Sequence, residues 1–264
     1  VIDLHSHLLP GLDDGAESLD EALEIAGTMA ADGVRIVVGT PHVREDYPTT
    51  AREMTAALAA VREAVAAAGI PIDVRGGGEI ALDALDWLRP EERAGFGLGG
   101  NPHALLVEYP YLGIPLGMPD RVWNLRSEGI RVVVAHPERN PDVQESPARI
   151  EPVVRGGALV QLTAASVEGR LGRDAQETSR ALLEAGWAHL IASDAHTPDV
   201  RAAGLAGAAA TVSEWGGGGE AGAALAWWLV EGLPGSVLEG APLPPRPPVS
   251  VAQRGLRDRL RRRV

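Results

Sequence analysis

The sequence predicts a single parallel α/β domain, and three observations carry that prediction. Short segments rich in Val, Ile and Leu alternate with longer amphipathic ones, and such apolar runs mark parallel strands buried on both faces. Seven of these β/α units follow one another, the pattern of a parallel barrel or a doubly wound sheet. The residues able to bind metal gather where the strands end, which is where parallel α/β folds assemble their functional groups.

The expected strands are 2–5, 35–40, 72–79, 104–108, 130–136, 158–163 and 189–194, of which VRIVVGT and IRVVVAH are the clearest. Helical patterns lie between them at 18–32, 50–68, 117–128, 146–155 and 174–186, and two more follow the last strand at 200–214 and 221–232. Ser18 ahead of Leu19 and Glu21 reads as a capping box. Gly33, Gly69, Gly129 and Gly186 fall where helices should end. The glycine run 216–219 reads as a flexible connection, and Trp227-Trp228 in the last helix as core packing. From Gly240 the composition shifts to APLPPRPP, an extended linker, and the chain ends in RGLRDRLRRRV, six Arg and one Asp that suit a short basic helix. The domain is therefore expected over 1–239, with a Pro-rich and Arg-rich tail over 240–264.

A chain of 264 residues, 45% hydrophobic, can bury one large core. Its apolar runs look far shorter than the roughly 20 residues that span a bilayer. It opens directly on VIDLHSH without a signal-like core and so reads as cytoplasmic. There is no cysteine, which excludes disulfides, thiolate metal sites and a cysteinyl-phosphate route. All 24 basic residues are Arg, which rules out a Schiff base, a Walker lysine and a carbamylated-lysine metal bridge. A net charge of −12 argues against nucleic-acid binding by the domain body and fits carboxylates collected to hold cations.

The chemistry sits at the strand ends. The first strand runs into His5-Ser6-His7 and is followed by Asp14 in GLDDG; the second ends at His42, the third at Glu79, the fourth at Glu108, the fifth at His136 and the seventh at Asp194-Ala195-His196. In an extended segment His-x-His puts both imidazoles on one side. Imidazoles together with carboxylates suit manganese, iron or zinc, and nine candidate ligands exceed what one ion needs, so two or three divalent ions are expected. Arg139, in HPERN, and Arg201, five residues after His196, have the guanidinium fork that matches phosphate oxygens. Asp13 and Asp14 also fit a turn-shaping role.

With these residues in view, the sequence resembles the PHP (polymerase and histidinol phosphatase) superfamily, and within it the bacterial capsule-type (CpsB-like) metal-dependent protein-tyrosine phosphatases. IDLHSHLLPGLDDGA, GTPHV, GGGEI, LLVEYP, AHPERN and SDAH occur in the family's order over most of residues 1–205. The resemblance implies a distorted (β/α)7 TIM-like barrel. It assigns His5, His7, Glu79 and Asp194 to a first metal, Glu79, Glu108 and His136 to a second, and Asp14, His42 and His196 to a third. It also implies catalytic roles for Arg139 and Arg201. Manganese is the metal it suggests first, with iron or zinc as alternatives, and the implied partner is the phosphorylated tail of a bacterial tyrosine kinase controlling exopolysaccharide synthesis. Rival readings are a histidinol phosphatase, a nucleotide phosphodiesterase, or a metal-bound docking scaffold without turnover; an amidohydrolase fits poorly because it would leave Glu79 and Glu108 unexplained. Membrane contact through the terminal arginines is the less favoured reading of the tail, and self-association through helices around the barrel stays open.

Overall fold

The computed structural model describes residues 1–113, 115–198 and 204–248. Nine strand segments, all paired in parallel, form the centre: β1 (Ile2–Ser6), β2 (Ile36–Gly39), β3 (His42–Val43), β4 (Asp73–Gly76), β5 (Glu79–Ala81), β6 (Ala104–Glu108), β7 (Arg131–Ala135), β8 (Leu159–Thr163) and β9 (Leu190–Ala192). They lie in a three-stranded sheet, β1-β2-β4, and a six-stranded sheet, β3-β5-β6-β7-β8-β9. The parallel α/β class is the expected one. One of the seven expected strands is broken in two, the third, and an extra short strand, β3, follows the second; the reasons are local. Pro41 has no N–H to continue a ladder, so the second strand stops at Gly39 and β3 begins at His42. The third breaks at Gly77-Gly78, where a Cβ on Gly78 would lie 2.7 Å from the buried Phe96 ring, so only glycine lets the chain pass.

The sheets meet across these breaks and at β1. Gly77 N donates to Gly39 O (2.9 Å) and Glu79 N to Pro41 O (3.0 Å). Beyond β9, Ser6 forms a parallel bridge with Ala195; Asp194 N donates to His5 O (2.9 Å) and His7 N to Ala195 O (2.8 Å). Among the described residues the ladders do not close into one continuous barrel.

Helices pack around the strands through faces such as Ala22, Ile25, Ala26 and Met29 of Leu19–Ala31. Ser18 caps that helix by accepting from Glu21 N, but Glu21 Oε2 accepts from Glu17 N rather than closing the expected box; the reciprocal box belongs to Thr50 and Glu53. Gly33 (φ 86°) and Gly129 (φ 82°) end helices in the left-handed region, as expected. The expected helix 146–155 is a 3₁₀ turn, Pro147–Ile150, running into a short helix, Glu151–Arg155, because Pro147 and Pro152 each remove a donor.

The run 216–219 is a tight turn rather than a flexible connection. It joins the helices Leu205–Trp215 and Gly219–Trp227, and Gly218 N donates to Ser213 O at 2.8 Å. The second of these continues through a π turn (Trp228–Gly232) into Leu233–Glu239. By length and composition this 21-residue run, Gly219–Glu239, is long and apolar enough to cross a membrane, contrary to the short apolar runs expected. Fifty-six per cent of its most apolar window is buried against the domain, with Leu225, Leu229, Leu233 and Val237 fully or nearly enclosed. Trp228 is buried and Trp227 exposed, so core packing holds for one of the pair. The run covers the N-terminal ends of the strands, where Arg131 at the start of β7 donates to Ser236 O and Ala241 O, both at 3.0 Å. Residues 241–248 form neither helix nor strand, and they are tied down: Trp228 Nε1 donates to Pro244 O (3.0 Å) and Arg246 to Leu183 O (2.7 Å). The Arg-rich end and Arg201 lie outside the described residues.

Candidate metal centre

At the opposite end of the strands, nine side chains converge as the sequence expects. β1 places His5 on the face that also carries Asp3, and His7 follows two residues on, with the same orientation. Their Nε2 atoms face each other at 3.1 Å. Glu79 Oε2 lies 3.3 Å from His5 Nε2 and 3.4 Å from His7 Nε2, and Asp194 Oδ1 lies 3.4 Å from each. Ligand atoms about 2.1 Å from one ion sit about 3.0–3.5 Å apart in octahedral or tetrahedral arrangement, so these four atoms match the spacing of a shared cation. Around them are further groups: His5, Glu79 and His136; His42, Glu79 and Glu108; and His7, Asp14, His42 and His196. Glu79 is the hub, its Oε1 2.8 Å from His136 Nε2 and its Oε2 2.9 Å from His42 Nδ1. The expected grouping of Glu108 with His136 is not found as such, since Glu79 links each of them separately.

The donor chemistry fits metal better than hydrogen bonding. His42 Nδ1 and Glu79 Oε2 are buried and in contact, yet neither has a partner of hydrogen-bond geometry. Such orphaned buried groups are costly unless something unseen satisfies them, and a divalent ion does so for both. Carboxylates and imidazoles without thiolate suit manganese, iron or zinc alike.

Neighbouring groups hold these ligands in place. Asp13 does more than shape a turn. Its Oδ2 is 2.6 Å from His7 Nδ1 and accepts from His42 N at 2.9 Å, while its Oδ1 accepts from Gly15 N at 3.0 Å. It thereby turns His7 Nε2 inward, the usual task of a carboxylate behind a ligating imidazole. Gln161 Oε1, 3.0 Å from His5 Nδ1, does the same for His5. Neither was identified from sequence; the signal for Asp13 was its place between two ligand-bearing segments, and Gln161 had only its inward register on β8. His196 Nδ1 meets Asp194 O at 2.9 Å. His136 (φ 36°) and Asp194 (φ 54°) are the only non-glycine residues with positive φ among those described. Conformations of this kind cost on the order of 1–3 kcal/mol and collect at functional sites.

The electrostatics are those of a cation site. Burial would raise the Glu79 carboxyl, but the facing His5, His136 and His42 hold it well below the usual carboxylate range. Burial opposes Asp194 ionisation as well, and His5, His7 and His136 overcome it. Conversely, His5 and His7 are raised despite burial, His5 by Glu79 and Asp194, His7 by Asp13, Asp194 and Glu79. Arg139, expected as a phosphate clamp, puts Nη1 2.6 Å from Asp194 Oδ2 and lies over the Tyr111 ring at 5.1 Å. It therefore braces a ligand, with other guanidinium donors to spare. Burial raises the Tyr111 hydroxyl to about 12, and its ring stacks on His136 at 5.9 Å. Beside Glu108 opens a cleft of about 500 Å³, lined among others by Arg44, Leu82, Pro110, Tyr111, Pro115 and Arg121.

Comparison with known proteins gives this site its context. Residues 1–223 match the family described as Capsular polysaccharide synthesis, CpsB/CapC. The chain belongs to this family. It is 31% identical over 205 residues to the tyrosine-protein phosphatase YwqE of Bacillus subtilis, covering 76% of this chain and 79% of the relative. It is 29% identical over 212 residues to the tyrosine-protein phosphatase CpsB of Streptococcus pneumoniae, covering 76% and 85%. A crystal structure from the pair YwqE of B. subtilis and CpsB of S. pneumoniae, described as unique metal-dependent tyrosine phosphatases, covers 96% of this chain and 100% of its own, with a TM-score of 0.84 at 27% identity. The CpsB/CapC match spans every one of the nine converging side chains.

Proposed function

We propose that this CpsB/CapC chain is a metal-dependent protein-tyrosine phosphatase that hydrolyses phosphotyrosine on protein substrates. The observation that carries the reading is the convergence of five histidines and four carboxylates on one Glu79-centred cluster. The nine ligands are His5, His7, Asp14, His42, Glu79, Glu108, His136, Asp194 and His196, holding two or three divalent ions, with manganese the first candidate and iron or zinc the alternatives. The proposed partner is the phosphorylated tail of a tyrosine kinase controlling exopolysaccharide synthesis, met in the cytoplasm. The two sheets are read as one distorted (β/α)7 barrel over 1–239, interrupted at Pro41 and Gly77-Gly78, which the contact of β1 with residues 194–195 supports.

Bound divalent ions would supply a hydroxide nucleophile near pH 7 and offset phosphoryl charge. The chain itself does the rest. Glu79 and Asp194 stay ionised and His5 and His7 stay oriented, so the ligand set is formed before substrate arrives. Arg139 fixes Asp194 and offers its remaining N–H groups towards phosphoryl oxygens; Arg201 is proposed for the same task on sequence grounds. With no cysteine in the chain, no cysteinyl-phosphate forms. A phenol of pKa about 10 leaves more readily than an alcohol, so no dedicated acid is required.

The test is phosphate release from a phosphotyrosyl and a phosphoseryl peptide by protein stripped of metal and then reloaded with manganese. Manganese-dependent release from the tyrosyl peptide, abolished in Glu79→Gln, is the expected result. Metal bound without release from either peptide would overturn the assignment in favour of a small-molecule phosphoester or a docking role.

A further inference from the structure

Arg44 was not among the residues that sequence motifs singled out, and among the described arginines it alone touches a residue of the cluster and also lines the neighbouring cleft. It follows His42 by two residues, just beyond β3, and its side chain reaches Glu108 of the cluster. Its Nη1 is 3.5 Å from Glu108 Oε1, its Nε is 2.8 Å from Asp46 Oδ1, and its guanidinium lies over the Tyr47 ring at 5.0 Å. Tyr47 in turn stacks on His42 at 5.8 Å. Arg44 thus stands at the rim of the metal cluster, within the field of Glu108, Asp46, Asp14 and Glu79.

It also lines the cleft beside Glu108. Two arginines reach that cleft, and they differ in how they are held. Arg121 is committed to the body of the protein, donating to Leu82 O at 2.9 Å and to Asp86 at 2.6 Å. The contact of Arg44 with Glu108 is at the outer limit of a hydrogen bond, and its other acid, Asp46, is largely exposed. A pair with a solvated partner such as Asp46 contributes little, so Arg44 can exchange that contact for another anion while its contact with Glu108 stays. Apart from the acids Glu108 and Asp83, the remaining walls are Ala81, Leu82, Pro110, Tyr111, Pro115 and Gly117, and the volume of about 500 Å³ is that of a small-ligand site.

We infer that Arg44 is a substrate-anchoring residue. Its guanidinium receives a phosphoryl oxygen of an aryl phosphate whose ring enters the cleft between Tyr111 and the prolines. Planar bidentate recognition of phosphate is what guanidinium does best, and an apolar wall favours a phenyl group over the methylene of phosphoserine. The inference rests on the phosphatase reading of the neighbouring cluster.

Direct binding tests it. A fluorescein-labelled peptide with phosphonodifluoromethyl-phenylalanine in place of phosphotyrosine is titrated by anisotropy against manganese-reloaded parent, Arg44→Ala and Arg44→Lys, with metal content measured on each. Arg44→Ala is expected to weaken binding about tenfold or more at unchanged metal content, the loss of a charge-assisted hydrogen bond. Its KM for the phosphotyrosyl peptide should rise in step, kcat should change less, and Arg44→Lys should recover part of the affinity. Binding within twofold of the parent in Arg44→Ala, or a loss that merely follows lost metal, overturns the anchoring role and leaves the phosphatase reading standing. A parent that holds metal and ignores the peptide removes both. Equal binding of a phosphonate mimic of phosphoserine overturns the placement of the ring.

Discussion

Replacing Asp13 with Ala should damage metal binding far more than its single-residue size suggests. The carboxylate accepts from His42 N and Gly15 N and faces His7 Nδ1 at 2.6 Å. Removing it leaves two backbone donors without their acceptor and frees a ligating imidazole to rotate. Each hydrogen bond to a charged group contributes about 1.5 kcal/mol at the low end. The two backbone bonds alone therefore predict a loss of about 3 kcal/mol in the metal-free protein. The effect on metal is separate: carboxylates behind a ligating histidine are worth about 10–100-fold in affinity. The assay is chelator competition for manganese at constant pH, alongside chemical denaturation of the metal-free variant. Asp13→Asn, whose single carbonyl oxygen can accept from only one of the two backbone donors, should recover part of the stability and less of the metal affinity. If Asp13→Ala loses stability while its manganese affinity stays within twofold of the parent, the orienting role assigned to Asp13 is wrong.

Three further outcomes follow from the same geometry. Arg139→Ala should cost about 3–5 kcal/mol because it leaves Asp194 buried without its cation; a denaturation midpoint equal to the parent's would show that the pair does not brace the site. Gly15→Ala should destabilise by about 3 kcal/mol, since its Cβ would fall 2.1 Å from His7 O, and manganese affinity should drop with it; thermal melts with and without metal read both effects. His189 is held neutral, its pKa lowered to about 4 by burial and by Arg246, and its Nδ1 accepts from Val160 N at 3.1 Å. The unfolded chain takes up that proton near pH 6.5 and the folded one does not, so stability is full above 6.5 and falls as pH drops through 4, by up to about 3 kcal/mol. His189→Gln should flatten that acid slope, and an unchanged slope would refute the assignment.

Most of the proposed ligand set was legible because metal chemistry leaves a restricted alphabet. Five histidines at four strand ends and the acids Glu79, Glu108 and Asp194 announce themselves by residue type and position. What stayed hidden was relational. Asp13 and Gln161 act on ligands by hydrogen bonds that only the folded chain brings together. Arg139 was identified, but its pairing with Asp194 depends on a contact across 55 residues. Arg44 was missed because an arginine two residues beyond a histidine carries no signature of its own. The break in the third strand was missed because the expected strand runs straight through Gly77-Gly78, while the chain there needs clearance that the pattern does not report; the short β3 after Pro41 was missed because two residues carry no pattern. The last helix was read as ending at 232 because Gly232 and Pro234 look like stops; Leu233 and Val237, buried against the strand ends, carry it on to Glu239.

The meeting of β1 with Ala195, and the capping of the strand bases by Leu233–Glu239, tie the first residues of this chain to nearly the last ones described. On the ribosome, His5 and His7 emerge long before Asp194 and His196, so the proposed ligand set cannot be completed until residue 196 has been made. Native contacts this distant in sequence slow folding, and exposed strand edges at that stage invite association between nascent chains. Divalent ions present during synthesis would meet only partial ligand sets until then, so metallation and the last stage of folding should coincide in time.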